Sequence, residues 1–357
     1  MDLAAKHPSI VAELRQRIIK GDFAPGTQFP THDELGKSFN VSRVTVQKAL
    51  DRLASDGFVF AKGRRGTYVS EFPPHLYNYG IVFPCRPTDD GWVRFWTALA
   101  NESGRAQSSP QQKIFCYFAI DGHTDHEDYQ RMMTAVKSHR LAGLFFTFPP
   151  SQEVLQSILS EEESLPIVAV VYGKSPAYSV LELDSHAFVD KALDYLKSRG
   201  KRRIAMISVP NVPGDFLEYF QAAAASRRMS TKPYWIQHVP ATAPLCARNL
   251  AHLLLNPDQK IRPDGLFITD DNLVEYATSG LIAANVRVPQ DLDLVAHCNF
   301  PWLTPSVIPA KRLGFDAIQV LRAALESIDR QRAGDRRPRS TTIAPVFEEE
   351  LIQTPNK

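Results

Sequence analysis

Two short strings near the start of the chain carry side chains of the kind that read a nucleic-acid duplex, Ser42 to Lys48 (SRVTVQK) and Lys62 to Tyr68 (KGRRGTY). In the first, Arg43, Thr45 and Gln47 stand in the opening turns of a predicted helix. A helix laid in a major groove points such residues at base edges. Arg43 can fork onto guanine or a phosphate, and Gln47 can read adenine. Ser42, Thr45 and Lys48 suit phosphate oxygens, and Thr31 and His32 join the candidate set from the start of the preceding helix. In the second string, Lys62, Arg64 and Arg65 bring positive charge against an adjacent minor groove or its phosphates, while Gly63 and Gly66 let the backbone approach closely.

Other chemistries have less support. Residues 121–128, DGHTDHED, hold His123 and His126 among four acids, but with loose spacing and no cysteine they read as a solvated acidic loop, and no metal is expected. No GxSxG, HExxH or glycine-rich phosphate loop occurs, so neither catalytic residues nor a cofactor are expected. Cys85, Cys116, Cys246 and Cys298 are scattered without a CxxC pair, as reduced thiols are. The basic run 329–339, DRQRAGDRRPR, reads as an exposed connection.

The elements that must position the first group follow from periodicity and caps. Pro8 to Lys20 repeats apolar residues at three- and four-residue spacing and stops at Gly21. Thr31 with Glu34 forms a capping box over a helix at His32 to Phe39, and Ser42 caps a second helix that ends at Gly57. FVFAKGRRGTYVS then reads as a hairpin around a basic tip. Residues 1–70 hold eleven Lys and Arg against seven Asp and Glu, while the whole chain of 357 residues is only +2. The basic excess therefore sits at the front.

These 56 residues, Leu14 to Val69, resemble the winged-helix domain of the GntR family of bacterial transcription regulators, in the order PG, FP, DEL, VSRVTV, AL, DG, GTYV. The resemblance implies double-stranded DNA as a partner. Where many members carry arginines early in the second helix and at the position of Gln47, this chain has Thr31, His32, Asp33 and Gln47. The operator sequence is left open.

After a linker at 71–78 with paired prolines, short apolar runs alternate with amphipathic stretches: YGIVFP, QKIFCYFAI, LAGLFFTFPP, PIVAVVY, KRRIAMISVP, DGLFIT and LDLVAHC. Such alternation predicts parallel sheets in two α/β lobes. The strings SRGKRRIAMIS and ANVRVPQDLDLVAH, with the other anchors over 79–352, resemble the effector-binding domain of LacI/GalR regulators, related to periplasmic sugar-binding proteins. That resemblance implies lobe 1 at 79–183 and 303–335, lobe 2 at 184–302 and 336–352, and chain crossings near Asp184, Trp302 and Arg336. It also implies a ligand between the lobes, at the carboxyl ends of the strands. Asp184 and Asp271 match the family's acids. Phe216 replaces an arginine, Cys298 beside Asn299 replaces an acid, and Val171 with Tyr172 replaces an Asp-Arg pair. Asp89, Trp92, Phe95, Tyr172, Phe216, Asn299 and Trp302 are further lining candidates, each aromatic being equally suited to core packing.

The expected molecule is a winged helix-turn-helix followed by a periplasmic-binding-protein-like α/β body, a homodimer on a pseudo-palindromic operator, with a small-molecule effector, a sugar or related metabolite, changing DNA affinity. Alternatives are a regulator without effector response, or a cleft enzyme using Asp184 and Asp271. No apolar run approaches the roughly 20 residues of a membrane span and no basic-then-apolar leader opens the chain, so a cytoplasmic location is expected.

Overall fold

The computed structural model describes residues 3–171, 177–210, 212 and 214–352. The head begins with α1 (Leu3–Ile19), followed by α2 (His32–Phe39), α3 (Arg43–Ser55) and the hairpin β1 (Val59–Ala61) and β2 (Thr67–Val69). The capping box at Thr31 and Glu34 is present, and Ser42 accepts from the Thr45 amide to start α3. Between the two helices Asn40 takes a left-handed conformation, φ 50°, which turns the chain after α2. Ile10, Leu14 and Ile18 of α1 pack on Leu35, Val46, Ala49, Leu50 and Leu53, with Phe58 and Val69 closing the core. Beneath it, Arg15 Nη2 donates to Asp56 at 2.6 Å, and Arg52 Nε donates to the same carboxylate at 3.1 Å.

The linker contains a short helix α4 (Pro74–Tyr77), because Pro74 at its first position has no amide to satisfy and Arg332 Nη1 donates to the Leu76 carbonyl at 2.9 Å. Two six-stranded sheets follow. Lobe 1 contains β3 (Asn78–Val82), α5 (Arg94–Glu102), β4 (Lys113–Tyr117), α6 (Glu127–Lys137), β5 (Gly143–Phe146), α7 (Gln152–Glu161), β6 (Ile167–Val170) and β7 (Ser179–Leu183). Lobe 2 contains α8 (Ser185–Ser198), β8 (Ile204–Ser208), α9 (Phe216–Ser226), β9 (Ile236–His238), α10 (Leu245–Leu254), β10 (Gly265–Ile268), α11 (Asp271–Ala283), β11 (Asp293–Phe300) and β12 (Lys311–Asp316). The chain closes with α12 (Ala317–Arg332), β13 (Ser340–Ile343), β14 (Val346–Phe347) and α13 (Glu348–Ile352).

Strand order is β13-β7-β6-β5-β3-β4 in lobe 1 and β14-β12-β11-β10-β8-β9 in lobe 2, with every pairing parallel except β12 with β14. The expected crossing near Asp184 coincides with the passage from β7 to α8. The other two expected positions are corrected. The proline-rich stretch after Trp302 does not leave lobe 2, because β12 pairs with β11 from Val295↔Lys311 to Phe300↔Asp316. The strands approach so closely that a Cβ on Gly314 would lie 1.8 Å from the Cys298 carbonyl oxygen. The second crossing falls at Asp316. Similarly, β13 pairs with β7, so the third crossing falls after Ile343 rather than near Arg336. The basic run at 329–339 is partly the last turn of α12, and Asp329 accepts from the Tyr79 hydroxyl at 2.7 Å.

Candidate nucleic-acid interface and sensor cleft

Because the apolar stripe of α3 (Val46, Ala49, Leu50, Leu53) is spent on the head core, the opposite face is left to solvent. It presents Arg43, Val44, Gln47 and Lys48. Val44 is 65% exposed, the highest value among the large apolar side chains of the described residues. It was not singled out from the sequence, although its place off the buried stripe was a legible signal. A solvent-facing branched aliphatic group on a groove-reading helix suits a thymine methyl. Ser42 and Thr45, read as phosphate ligands, are largely engaged with each other: Ser42 Oγ accepts from the Thr45 amide at 3.3 Å and lies 3.0 Å from Thr45 Oγ1. Thr31 is likewise engaged with Glu34, whose carboxyl is held below its usual range by hydrogen bonds from the Thr31 backbone and side chain. His32 contacts Gln47, His32 Nε2 to Gln47 Oε1 at 2.7 Å, and Gln47 Nε2 donates to Asp51 Oδ1 at 2.7 Å.

At the hairpin tip, Gly63 to Arg65 form a 3-10 turn that leaves Arg64 and Arg65 exposed. Gly66 takes φ 95°, which favours glycine. Gln28 donates to the Arg65 carbonyl at 3.1 Å, and Lys62 Nζ lies 5.4 Å from the Tyr68 ring centre, so the tip is anchored at its base while its two guanidinium groups are free to meet phosphates. The head thus carries two cationic surfaces, the front of α3 and the wing tip.

In the body, the carboxyl ends of the parallel strands carry the second set of candidates. Asp89 accepts from the Arg86 amide at 2.7 Å in the loop after β3. Trp92 packs on Phe83, Trp96 and Phe118 and donates to Thr97 at 2.7 Å. Asp184 caps α8 by accepting from Ala187 at 2.8 Å, and its own amide donates to Ile343, so it sits where two crossings meet. Trp302 donates to Glu102 of α5 at 2.9 Å, and Arg94 reaches Glu275 at 3.4 Å while its amide donates to Asn272 at 3.1 Å. These three contacts run from lobe 1 to lobe 2.

Three candidates change. Phe216 is 3% exposed and belongs to the core under α8 and α9, so its ring has no open face. Asp271 and Asn299 are each 2% exposed and bonded to each other, Asn299 Nδ2 donating to Asp271 Oδ2 at 2.8 Å. Burial raises the Asp271 pKa, with Asp270 adding to the shift. This pair is buried within lobe 2. The adjacent acid Asp270, half-buried at the cap of α11, is the more accessible carboxylate and was missed because two aspartates in succession give no sequence reason to prefer the first. Tyr172 lies outside the described residues. Among the described residues, no group of three or more His, Cys, Asp or Glu is placed to hold a metal ion; His123 and His126 stack at 5.6 Å beside Asp121.

Residues 7–69 match the family of bacterial regulatory proteins of the gntR type, and residues 193–346 match the periplasmic binding protein-like domain. The arabinose metabolism transcriptional repressor of Halalkalibacterium halodurans is 22% identical over 93% of this chain and 92% of its own length. The repressor PurR of Aliivibrio fischeri MJ11 is 24% identical over 61% of this chain and 69% of its own. The HTH-type regulator YieP of Escherichia coli K12 is 43% identical over 70 residues, covering 20% of this chain and 30% of its own. Among solved structures, the regulator CelR in complex with cellobiose superimposes with a TM-score of 0.59 at 16% identity, covering 89% of this chain and 98% of that one. A LacI family regulator from Lactobacillus casei with bound glucose gives 0.55 at 18% identity over 76% and 98%. At such identities the structural likeness establishes the fold.

Proposed function

We infer that this chain, a transcription regulator joining a GntR-type DNA-binding domain to a LacI-like periplasmic-binding-protein domain, represses its target by binding a pseudo-palindromic operator as a homodimer and releases it when a sugar or related metabolite enters the cleft. The head spans 1–70, the linker 71–78 and the sensor the remainder. The observation that carries the reading is the presence in the head of both an exposed α3 face with Arg43, Val44, Gln47 and Lys48 and an exposed wing tip with Arg64 and Arg65. One head covers only half an operator, which calls for two copies.

An apolar face on lobe 2 supports the second copy. Leu245 and Leu253 of α10 are each 57% exposed at a spacing that puts them on one side of the helix, Ile282 of the adjoining α11 is 51% exposed, and Val307, bonded to Thr278 of α11, is 52% exposed. Scattered apolar residues are ordinary on a surface, but four on two packed helices and their adjoining loop fit an isologous interface. The sugar reading draws on the relatives, one named for arabinose metabolism and one solved with cellobiose. Asp89, Asp184 and Asp270 would accept from ligand hydroxyls, and Trp92 would offer a partly open aromatic face.

The test is selection of bound duplexes from a random library by the full-length protein at two salt concentrations, followed by a sugar panel on the selected site. A two-fold symmetric site released by one sugar supports the reading. A site that no panel member releases would favour a regulator without effector response, and no enriched site would remove the regulator reading. Asp270→Asn is expected to abolish release while leaving operator affinity without sugar unchanged.

A further inference from the structure

On the reading of α3 as the groove-bound helix, the side-chain chain His32–Gln47–Asp51 decides how one base pair is read. A glutamine amide has two N–H donors and two acceptor lone pairs, and its nitrogen and oxygen can exchange places by a flip. Here the flip is settled by Asp51, one helical turn further along α3. An ionised carboxylate only accepts, so the amide nitrogen must face it, as it does at 2.7 Å. The amide oxygen is then the atom 2.7 Å from His32 Nε2, and that ring nitrogen must carry the proton and donate. One N–H and one lone pair of Gln47 remain. Adenine offers one acceptor (N7) and one donor (N6) on its major-groove edge, whereas guanine offers two acceptors.

We propose that His32, together with Asp51, is a specificity-determining positioning residue that clamps the Gln47 amide in a single orientation, so that Gln47 selects adenine over guanine at one position of each half-site. His32 opens α2 and Gln47 lies on α3, so the clamp also ties the reading side chain to both helices of the helix-turn-helix. Neither His32 nor Asp51 needs to touch DNA for this effect. Without the clamp the amide flips and rotates, and the adenine contact has to be ordered on binding.

The experiment profiles base preference across the selected operator with full-length wild type, Gln47→Ala, His32→Ala, His32→Gln and Asp51→Asn, alongside thermal midpoints. Wild type is expected to require adenine at one position per half-site, and Gln47→Ala to lose that requirement. His32→Ala is expected to narrow the adenine-over-guanine ratio at the same position roughly tenfold, leaving the other positions and the midpoint unchanged. Asp51→Asn, whose amide accepts or donates equally, gives the same narrowing, and His32→Gln, which keeps an N–H donor, restores the ratio. Guanine at the Gln47 position, an unchanged profile in His32→Ala, or an equal loss at every position would each overturn the proposal. Failure of wild type to enrich any site would remove the regulator reading and this proposal with it, whereas a symmetric operator read indifferently at the Gln47 position would remove only the proposal.

Discussion

At the residue scale the head depends on a few polar side chains whose roles separate cleanly. Arg43 stands exposed at the first position of α3 and has the reach for a bidentate base contact. Arg43→Ala is expected to reduce the preference for operator over random duplex roughly tenfold or more with no change in unfolding midpoint, as read by competition binding. Asp56 does the opposite work. Its side chain, 3% exposed, holds the Arg15 side chain, 9% exposed, so removing it leaves a guanidinium buried without its partner. Asp56→Ala is expected to cost about 3 kcal/mol of head stability, measured by urea unfolding. A change below 1 kcal/mol would mean that water or another acceptor replaces the carboxylate.

At the element scale the linker helix α4 is the joint between reader and sensor. His75 stacks on Phe58 of the head at 5.7 Å and lines a cavity of about 590 Å³ with Tyr79, His139, Asp329 and Arg332 of the body. Burial, with the Arg332 and His139 charges adding to it, pushes the His75 pKa down to about 4. The folded protein therefore holds His75 neutral where the unfolded chain, near 6.5, would take up a proton. Stability from this group is complete above pH 6.5 and falls as pH drops toward 4. The expected loss across that window is of the order of 2–3 kcal/mol, and His75→Phe should flatten the pH dependence of unfolding between pH 7.5 and 5. An equal slope in both proteins would place the titrating group elsewhere.

At the scale of the whole molecule, the proposed function requires two heads at a set separation, which would depend on how lobe 2 and lobe 1 sit. The side-chain contacts Trp302–Glu102, Arg94–Glu275 and Arg94–Asn272 join the lobes, and Asp184, Asp316 and the segment after Ile343 are the places where backbone passes between them. In the proposed mechanism, a ligand that draws the two lobes together would act on those passages. Replacing Leu245 and Leu253 together by Glu is expected to yield a monomer by sedimentation, with operator affinity reduced on the order of 100-fold through loss of bivalent contact. A dimer that persists would move the interface off α10.

The sequence by itself determined whatever depends on neighbours along the chain. The helices of the head, their caps at Thr31 and Ser42, the wing, and seven strands of the body follow from periodicities of 3.6 and 2 and from short-range hydrogen bonds, all contained within a few residues. The exposed set on α3 was legible for the same reason. The tertiary structure alone decided which partners meet across long separations. Asp271 finds Asn299, 28 residues away, and is thereby buried, so the accessible acid passes to Asp270. Gly314 lets β12 lie against β11, which moves a crossing from Trp302 to Asp316. Gln47 meets His32 from another helix, and a residue read as a free base-reader becomes an oriented one. Local propensity constrains the backbone of one segment, whereas burial and pairing of polar groups are properties of the packed whole.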